Sequence, residues 1–91
     1  MSDIHAHRTH SLSLDDAKKL AQELIQKLEK EFQLESQWRG NTLNFSRSGV
    51  KGSLDVTDKD LTLDISLGFM LKAFKSKIQG EIDKNLDKLF S

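Results

Sequence analysis

The chain has 91 residues and no cysteine, and its 14 Lys and Arg residues balance 14 Asp and Glu residues. This length predicts a single domain over residues 1–91, and the missing cysteines exclude a disulfide framework, a thiolate nucleophile and a cysteine zinc site. Zero net charge argues against a nucleic-acid partner, and the lack of a secretory signal and of an apolar run of about 20 residues favours a cytoplasmic protein without a transmembrane segment.

The N-terminal segment predicts a short strand. From residue 3 to residue 9 the side chains alternate, so that Ile4 and Ala6 fall on one side and His5 and His7 on the other. This alternation is typical of an extended strand with one apolar face.

A helix is predicted to follow this strand and to end near Phe32. Ser13 and Asp16 have the spacing of an approximate capping box, and Asp15 and Asp16 place acids at the positive end of the helix dipole. The apolar residues of this segment recur at intervals of three and four and trace one stripe: Ala17, Leu20, Ala21, Leu24, Ile25, Leu28 and Phe32.

Between residues 34 and 67 the hydrophobic period changes from 3.6 to 2, which predicts an antiparallel meander of four strands. Turns are predicted at Gly40-Asn41, at Ser48-Gly49 and at Asp58 to Asp60. One face of the meander is apolar and the other is uniformly polar, so the helices are expected to pack on the apolar face alone. The apolar face is made of Leu34, Trp38, Leu43, Phe45, Val50, Leu54, Val56, Leu61, Leu63, Ile65 and Leu67.

The C-terminal stretch, residues 67–90, predicts a second amphipathic helix. Its apolar stripe has Phe74 near the centre, and Phe74→Ala is expected to remove about 3–5 kcal/mol of stability. The stripe consists of Leu71, Phe74, Ile78, Ile82, Leu86 and Leu89.

These elements give an α+β fold in the order β-α-β-β-β-β-α, with two amphipathic helices packed on one face of an antiparallel sheet. The first strand is expected at an edge of the sheet beside the last strand, because both lie next to a helix on the buried side. Pairing of the first strand with the strand that follows the first helix is the alternative.

Several motifs carry a family resemblance: Ser2 to His5 and His7 to Leu12 at the start, Phe45 to Val50 in the middle, and Gly68-Phe69, Ala73 to Lys75 and Lys77-Ile78 near the end. They resemble the bacterial family of polyhydroxyalkanoic acid system proteins, and the resemblance covers nearly the whole chain. Members are small proteins encoded beside genes for polyhydroxyalkanoate (PHA) granule components such as phasins. The resemblance implies this setting, and it implies no particular reaction.

The C-terminal helix carries a band that a core does not require. Lysines occupy its first half, which opposes the helix dipole, and a mid-helix glycine costs about 1 kcal/mol relative to alanine. A large apolar anchor beside small residues and cations is typical of an interaction site, although Phe69 folding back onto the core is the alternative. The candidate interaction residues are Phe69, Lys72, Ala73, Lys75, Ser76, Lys77 and Gly80.

The histidines are the other chemical signal. His5 and His7 project from one face of a strand and are weak candidate metal ligands, with His10 or Asp64 as a third ligand if the first and last strands are neighbours. A solvated strand face is the simpler interpretation. Because Ser11, His10 and Asp15 form only a local, exposed set, we expect no catalytic residues, no cofactor and no enzyme activity.

Two functions remain as predictions. The first is a non-enzymatic interaction protein of PHA granules or of granule-associated proteins, with a homodimer as a further possibility. The second is a small ligand-binding or sensing domain that holds an acyl or hydroxyacyl molecule between helices and sheet, or a metal at the histidines. A filled core favours the first, and an apolar cavity of about 300 Å³ or more favours the second.

Overall fold

The computed structural model describes residues 3–90, apart from the side chain of Phe90. The predicted α+β class and the order β-α-β-β-β-β-α are confirmed, with a 3-10 helix added before the last helix. The elements are β1 (Ile4–Thr9), α1 (Leu14–Phe32), β2 (Glu35–Arg39), β3 (Thr42–Arg47), β4 (Val50–Val56), β5 (Asp60–Leu67), the 3-10 helix (Phe69–Phe74) and α2 (Lys75–Phe90).

The five strands form one antiparallel sheet in the order β1-β5-β4-β3-β2. The preferred prediction for the first strand is confirmed, since β1 pairs with β5 and lies at an edge. Ile4 stands opposite Ile65 and Thr9 opposite Asp60. This register brings the N-terminal histidines next to the acidic residues of β5.

The core lies between one face of the sheet and both helices, as the alternation of the strands predicts. Alternate strand residues are buried, and they form one cluster with the apolar stripes of α1 and α2. The largest side chains with no significant exposure are Ile4, Leu24, Ile25, Leu28, Leu43, Leu54, Val56, Leu61, Leu63, Ile82 and Leu86.

Both ends of α1 are capped by side chains. At its start, the hydroxyl of Ser13 accepts a hydrogen bond from the Asp16 N–H at 3.2 Å, which satisfies a backbone group that the helix leaves unpaired. At its end, Gln33 takes a left-handed conformation with φ of 55°. Arg47 donates from Nη1 to the Phe32 carbonyl at 2.6 Å. The end of α1 is therefore tied to the β3–β4 turn.

The predicted position of Phe74 in the core is wrong. Ile82 and Leu86 are 0% exposed, whereas Phe74 is 53% exposed. The first part of the predicted helix is a 3-10 helix, which turns by about 120° per residue, so the α-helical stripe of α2 does not continue unchanged through it. Leu71 packs against the core from this segment, whereas Phe74, three residues later, stands outside the core cluster.

Candidate interaction surface

Residues 69–80 carry an exposed surface that follows directly from the end of β5, while Leu71 and Ile78 of this range face the core. All seven residues predicted for interaction are exposed, so the alternative in which Phe69 folds back onto the core is wrong. Phe69 is 89% exposed and its neighbour Met70 is 80% exposed. With two additions, Met70 and Phe74, we call this the basic apolar surface, which comprises Phe69, Met70, Lys72, Ala73, Phe74, Lys75, Ser76, Lys77 and Gly80.

The sequence reasoning missed Met70 and Phe74 as exposed apolar residues. Met70 breaks the strand alternation that ends at Leu67, but it lies four residues before Phe74 and so fits helical spacing; its position gave no signal of exposure. Phe74 matched the stripe and gave no such signal. The apolar part of the surface is therefore larger than the sequence indicated.

A close backbone approach positions the 3-10 helix. Gly68 donates its N–H to the Gly49 carbonyl at 2.6 Å. A Cβ atom on Gly68 would lie 3.2 Å from the Gly49 Cα, and Gly49 itself has φ of +86°. Two glycines thus let the end of β5 meet the β3–β4 turn, and the 3-10 helix begins at that junction.

The charge of the basic apolar surface is one-sided. Residues 69–80 contain three lysines and no acidic residue. Asp3 is the acid placed beside them, with its carboxylate 3.8 Å from Lys72 Nζ. The pKa of Asp3 lies below its ordinary value, chiefly because the Leu67 N–H donates to its carboxylate at 2.8 Å and also because Lys72 and Lys75 are nearby.

The acids in the second half of α2 are held away from these lysines. Arg8 of β1 lies 3.4 Å from the carboxylates of both Asp83 and Asp87, which are one helical turn apart. This arrangement links β1 to α2 across the core. It also directs the charge of Asp83 and Asp87 towards β1 and away from the start of α2.

An apolar groove opens beside the basic apolar surface, and its volume is about 240 Å³. This volume is below the cavity of about 300 Å³ or more that would favour a ligand-binding domain, so the groove has room for one small occupant only. The groove runs between the C-terminal end of α1, strands β3 to β5 and the start of α2. Its lining residues are Leu28, Phe32, Leu34, Phe45, Arg47, Val50, Ile65, Leu67, Leu71, Phe74, Lys77 and Ile78.

The N-terminal histidines each contact a different partner. His5 Nδ1 lies 2.7 Å from Asp64 Oδ1, and His7 Nε2 lies 2.9 Å from Asp60 Oδ2. Among residues 3–90 no group of three His, Cys, Asp or Glu side chains is placed to hold a metal ion. The structure therefore does not assemble the metal site that was considered for His5 and His7.

His10 makes backbone hydrogen bonds in the loop after β1. Its Nδ1 accepts from the Leu12 N–H at 3.1 Å, so its Nε2 carries the proton and donates to the Thr57 carbonyl at 2.9 Å. These bonds account for both ring nitrogens. His10 therefore anchors the loop after β1 through these two hydrogen bonds.

Comparison with known protein families agrees with the sequence motifs. A family model described as "Putative polyhydroxyalkanoic acid system protein" matches residues 4–90. The chain belongs to this family. The resemblance inferred from the motifs is confirmed, and the family description associates the chain with the PHA system. No curated protein and no solved structure matches the chain.

The helices of this PHA system protein can be compared with those that span a bilayer. Within the part of the chain that is described, neither helix combines the length and the apolar character that a membrane-spanning helix needs.

Acid is expected to loosen the edge strand β1 of this PHA system protein. The pKa of Asp3 and of Asp60 lies below the ordinary value of 3.8, in Asp60 chiefly because of the His7 hydrogen bond and then the Thr57 hydroxyl. A carboxylate with a lowered folded-state pKa contributes stability above its ordinary pKa, and that stability is lost as pH falls through the lower value. The free energy of unfolding should therefore fall as pH drops below about 4.

Urea denaturation at a series of pH values checks this expectation. Asp3→Asn and Asp60→Asn should each flatten the decline of stability below about pH 4, because each removes one of the two carboxylates. Asp58→Asn, in the adjoining exposed turn, is the control and should keep the wild-type slope. Equal slopes in all four proteins would contradict the assignment.

Proposed function

We propose that this protein is a non-enzymatic accessory protein of the PHA system that docks through its basic apolar surface onto the coated surface of a polymer granule. The observation that carries the proposal is the exposure of Phe69 and Met70 beside three lysines. Neighbouring exposed apolar side chains of this kind mark interaction sites in soluble folds. The proposal places the protein in the cytoplasm, at the granule.

The charge of the surface favours an anionic partner. Lys72, Lys75 and Lys77 lie within six residues of the chain, near the N-terminal end of the helical segment, where a cation in the first turn is unfavourable by about 0.3–1 kcal/mol. A partner that supplies negative charge would remove this cost. A symmetric homodimer through the same surface would bring the lysines of two copies together, so like-charge repulsion disfavours it.

Gly80, a glycine inside α2, also supports a contact at this surface. Apart from its chain neighbours and the backbone of its own helix, no atom lies within 4 Å of a Cβ built on this residue, so packing within the chain does not require glycine there. Glycine inside a helix nevertheless costs about 1 kcal/mol relative to alanine. Because Gly80 has no side chain and packing within the chain does not explain this, we infer that the position allows the backbone of a partner to approach α2 closely.

The test of docking is co-sedimentation of the purified protein with isolated polymer granules, run beside thermal melts. Phe69→Ser should weaken binding by about 2 kcal/mol, or roughly 30-fold, because large apolar anchors carry much of the energy of a contact. Its melting temperature should stay close to that of the wild type, since the side chain is 89% exposed.

A lysine triple variant separates the role of charge. Changing Lys72, Lys75 and Lys77 to Gln should reduce the association rate and the salt sensitivity of binding. The matched control changes Lys19, Lys27 and Lys30, three exposed lysines on the outer side of α1, to Gln. Equal losses in both triple variants would mean that binding follows net charge alone, and unchanged binding in Phe69→Ser would exclude the surface as the contact.

A granule-associated protein is the other partner that the test distinguishes. Binding to granules stripped of their proteins supports contact with the granule surface itself. Binding that is lost when the granule proteins are removed would identify one of those proteins, and not the granule surface, as the partner. Sedimentation velocity of the free protein reports self-association, and a dimer that Phe69→Ser dissociates would assign the surface to a homodimer.

A further inference from the structure

The apolar groove has the chemistry of a site for one hydrophobic chain. Ten of its twelve lining residues are apolar, and they come from both helices, the 3-10 helix and three strands. The two remaining residues are Arg47 and Lys77, and no acidic residue lines the groove. The groove thus combines a long apolar wall with positive charge alone.

The two cations are held differently. Arg47 is fixed by its bond from Nη1 to the Phe32 carbonyl, which uses one of the five N–H donors of the guanidinium. Lys77 is exposed, and within residues 3–90 the structure shows no ion pair for its ammonium group. Both groups can therefore contact an anion at the groove without giving up an existing salt bridge.

We propose that the groove binds a single-chain amphiphile with an anionic head, a medium-chain fatty carboxylate. The hydrocarbon chain lies along the apolar wall, and the carboxylate contacts Arg47 and Lys77. A volume of about 240 Å³ equals roughly eight units the size of a water molecule, at about 30 Å³ each. A methylene group is of similar size, so a chain of about eight carbons fits.

Charge also selects this occupant over a second copy of the chain. The exposed apolar side chains that a second copy could insert, Phe69 and Met70, lie next to Lys72 and Lys75. Their insertion would bring those lysines towards Arg47 and Lys77. An anionic amphiphile satisfies the same apolar wall and neutralises both cations.

Calorimetric titration with octanoate tests the proposal, with two matched probes of different chemistry. Octanol has the same chain without the charge, and butyrate has the charge with a shorter chain. Octanoate should bind saturably and at least tenfold more tightly than either, because it alone satisfies both the wall and the cations. No saturable heat with millimolar octanoate, or equal affinity for octanol, would overturn the proposal.

Variants locate the site and keep this test separate from that of granule docking. Lys77→Gln should lower octanoate affinity about tenfold without affecting the melt, since Lys77 makes no ion pair within residues 3–90. Arg47→Gln should do the same, although its melt must be compared because Arg47 caps α1. Phe69 does not line the groove, so Phe69→Ser should leave octanoate affinity unchanged. Octanoate binding that Lys77→Gln and Arg47→Gln both leave intact would place the ligand elsewhere.

Discussion

Ile82→Ala is expected to lower the free energy of unfolding by about 2–5 kcal/mol. Ile82 is 0% exposed and lies in α2, where it joins the cluster that the helices form with the sheet. Truncation removes three carbon atoms from a packed interior and leaves a cavity that the neighbours fill only in part. Since small domains have total stabilities of about 5–15 kcal/mol, this loss is a large fraction of the whole.

Phe74→Ala is the comparison variant for Ile82→Ala. Phe74 is the larger side chain, but half of its surface is in water, so its truncation should cost less than Ile82→Ala. Urea denaturation followed by far-UV circular dichroism measures both variants on one scale. If Phe74→Ala were the more destabilising of the two, Phe74 would be a core residue and the 3-10 helix would be packed more deeply than described.

Local sequence signals were sufficient for most of the fold. The Ser13 cap, the stripe of α1 and the change of period after residue 33 each depend on neighbours in the sequence, and all three are present in the structure. The position of β1 beside β5 followed from topology, because both strands adjoin a helix on the buried face. These features require no knowledge of distant side-chain contacts.

The 3-10 helix was not predictable from the same signals. Leu71 and Phe74 are three residues apart, and this spacing fits one face of either an α-helix or a 3-10 helix. In the structure the 3-10 helix begins at the contact between Gly68 and Gly49, which lie far apart in the sequence. The exposed segment at the centre of the proposed function therefore depends on a tertiary contact.

The aspartate partners of His5 and His7 could also not be predicted fully from the sequence. His7 stands opposite Thr62 in the strand register, but its ring contacts the carboxylate of Asp60, the diagonal neighbour. The identity of the neighbouring strand could be predicted, whereas the choice between the direct and the diagonal partner depends on side-chain rotamers. Sequence alone therefore proposed a shared site for His5 and His7, and the structure gives each histidine its own aspartate.

Gly52→Ala is expected to be the most damaging change among the glycines of this chain, at about 1–3 kcal/mol. Gly52 lies opposite Phe45 in the register of β3 and β4. A Cβ built on Gly52 would overlap the Phe45 ring and lie 3.1 Å from the Asp64 carbonyl oxygen. Phe45 is 2% exposed, so its ring cannot move into solvent to relieve the overlap.

Gly80→Ala is the matched control, because the same chemical change meets open space at that position. It should raise the free energy of unfolding by about 1 kcal/mol, opposite in sign to Gly52→Ala.

In the Gly52→Ala background, Phe45→Leu should cost less than it does in the wild type, with a coupling of about 0.5–3 kcal/mol. Independent effects of the two changes would mean that the ring is not what excludes a side chain at Gly52. Because Phe45 also lines the apolar groove, a ring displaced by Gly52→Ala should reduce octanoate affinity, and Gly80→Ala should leave that affinity unchanged.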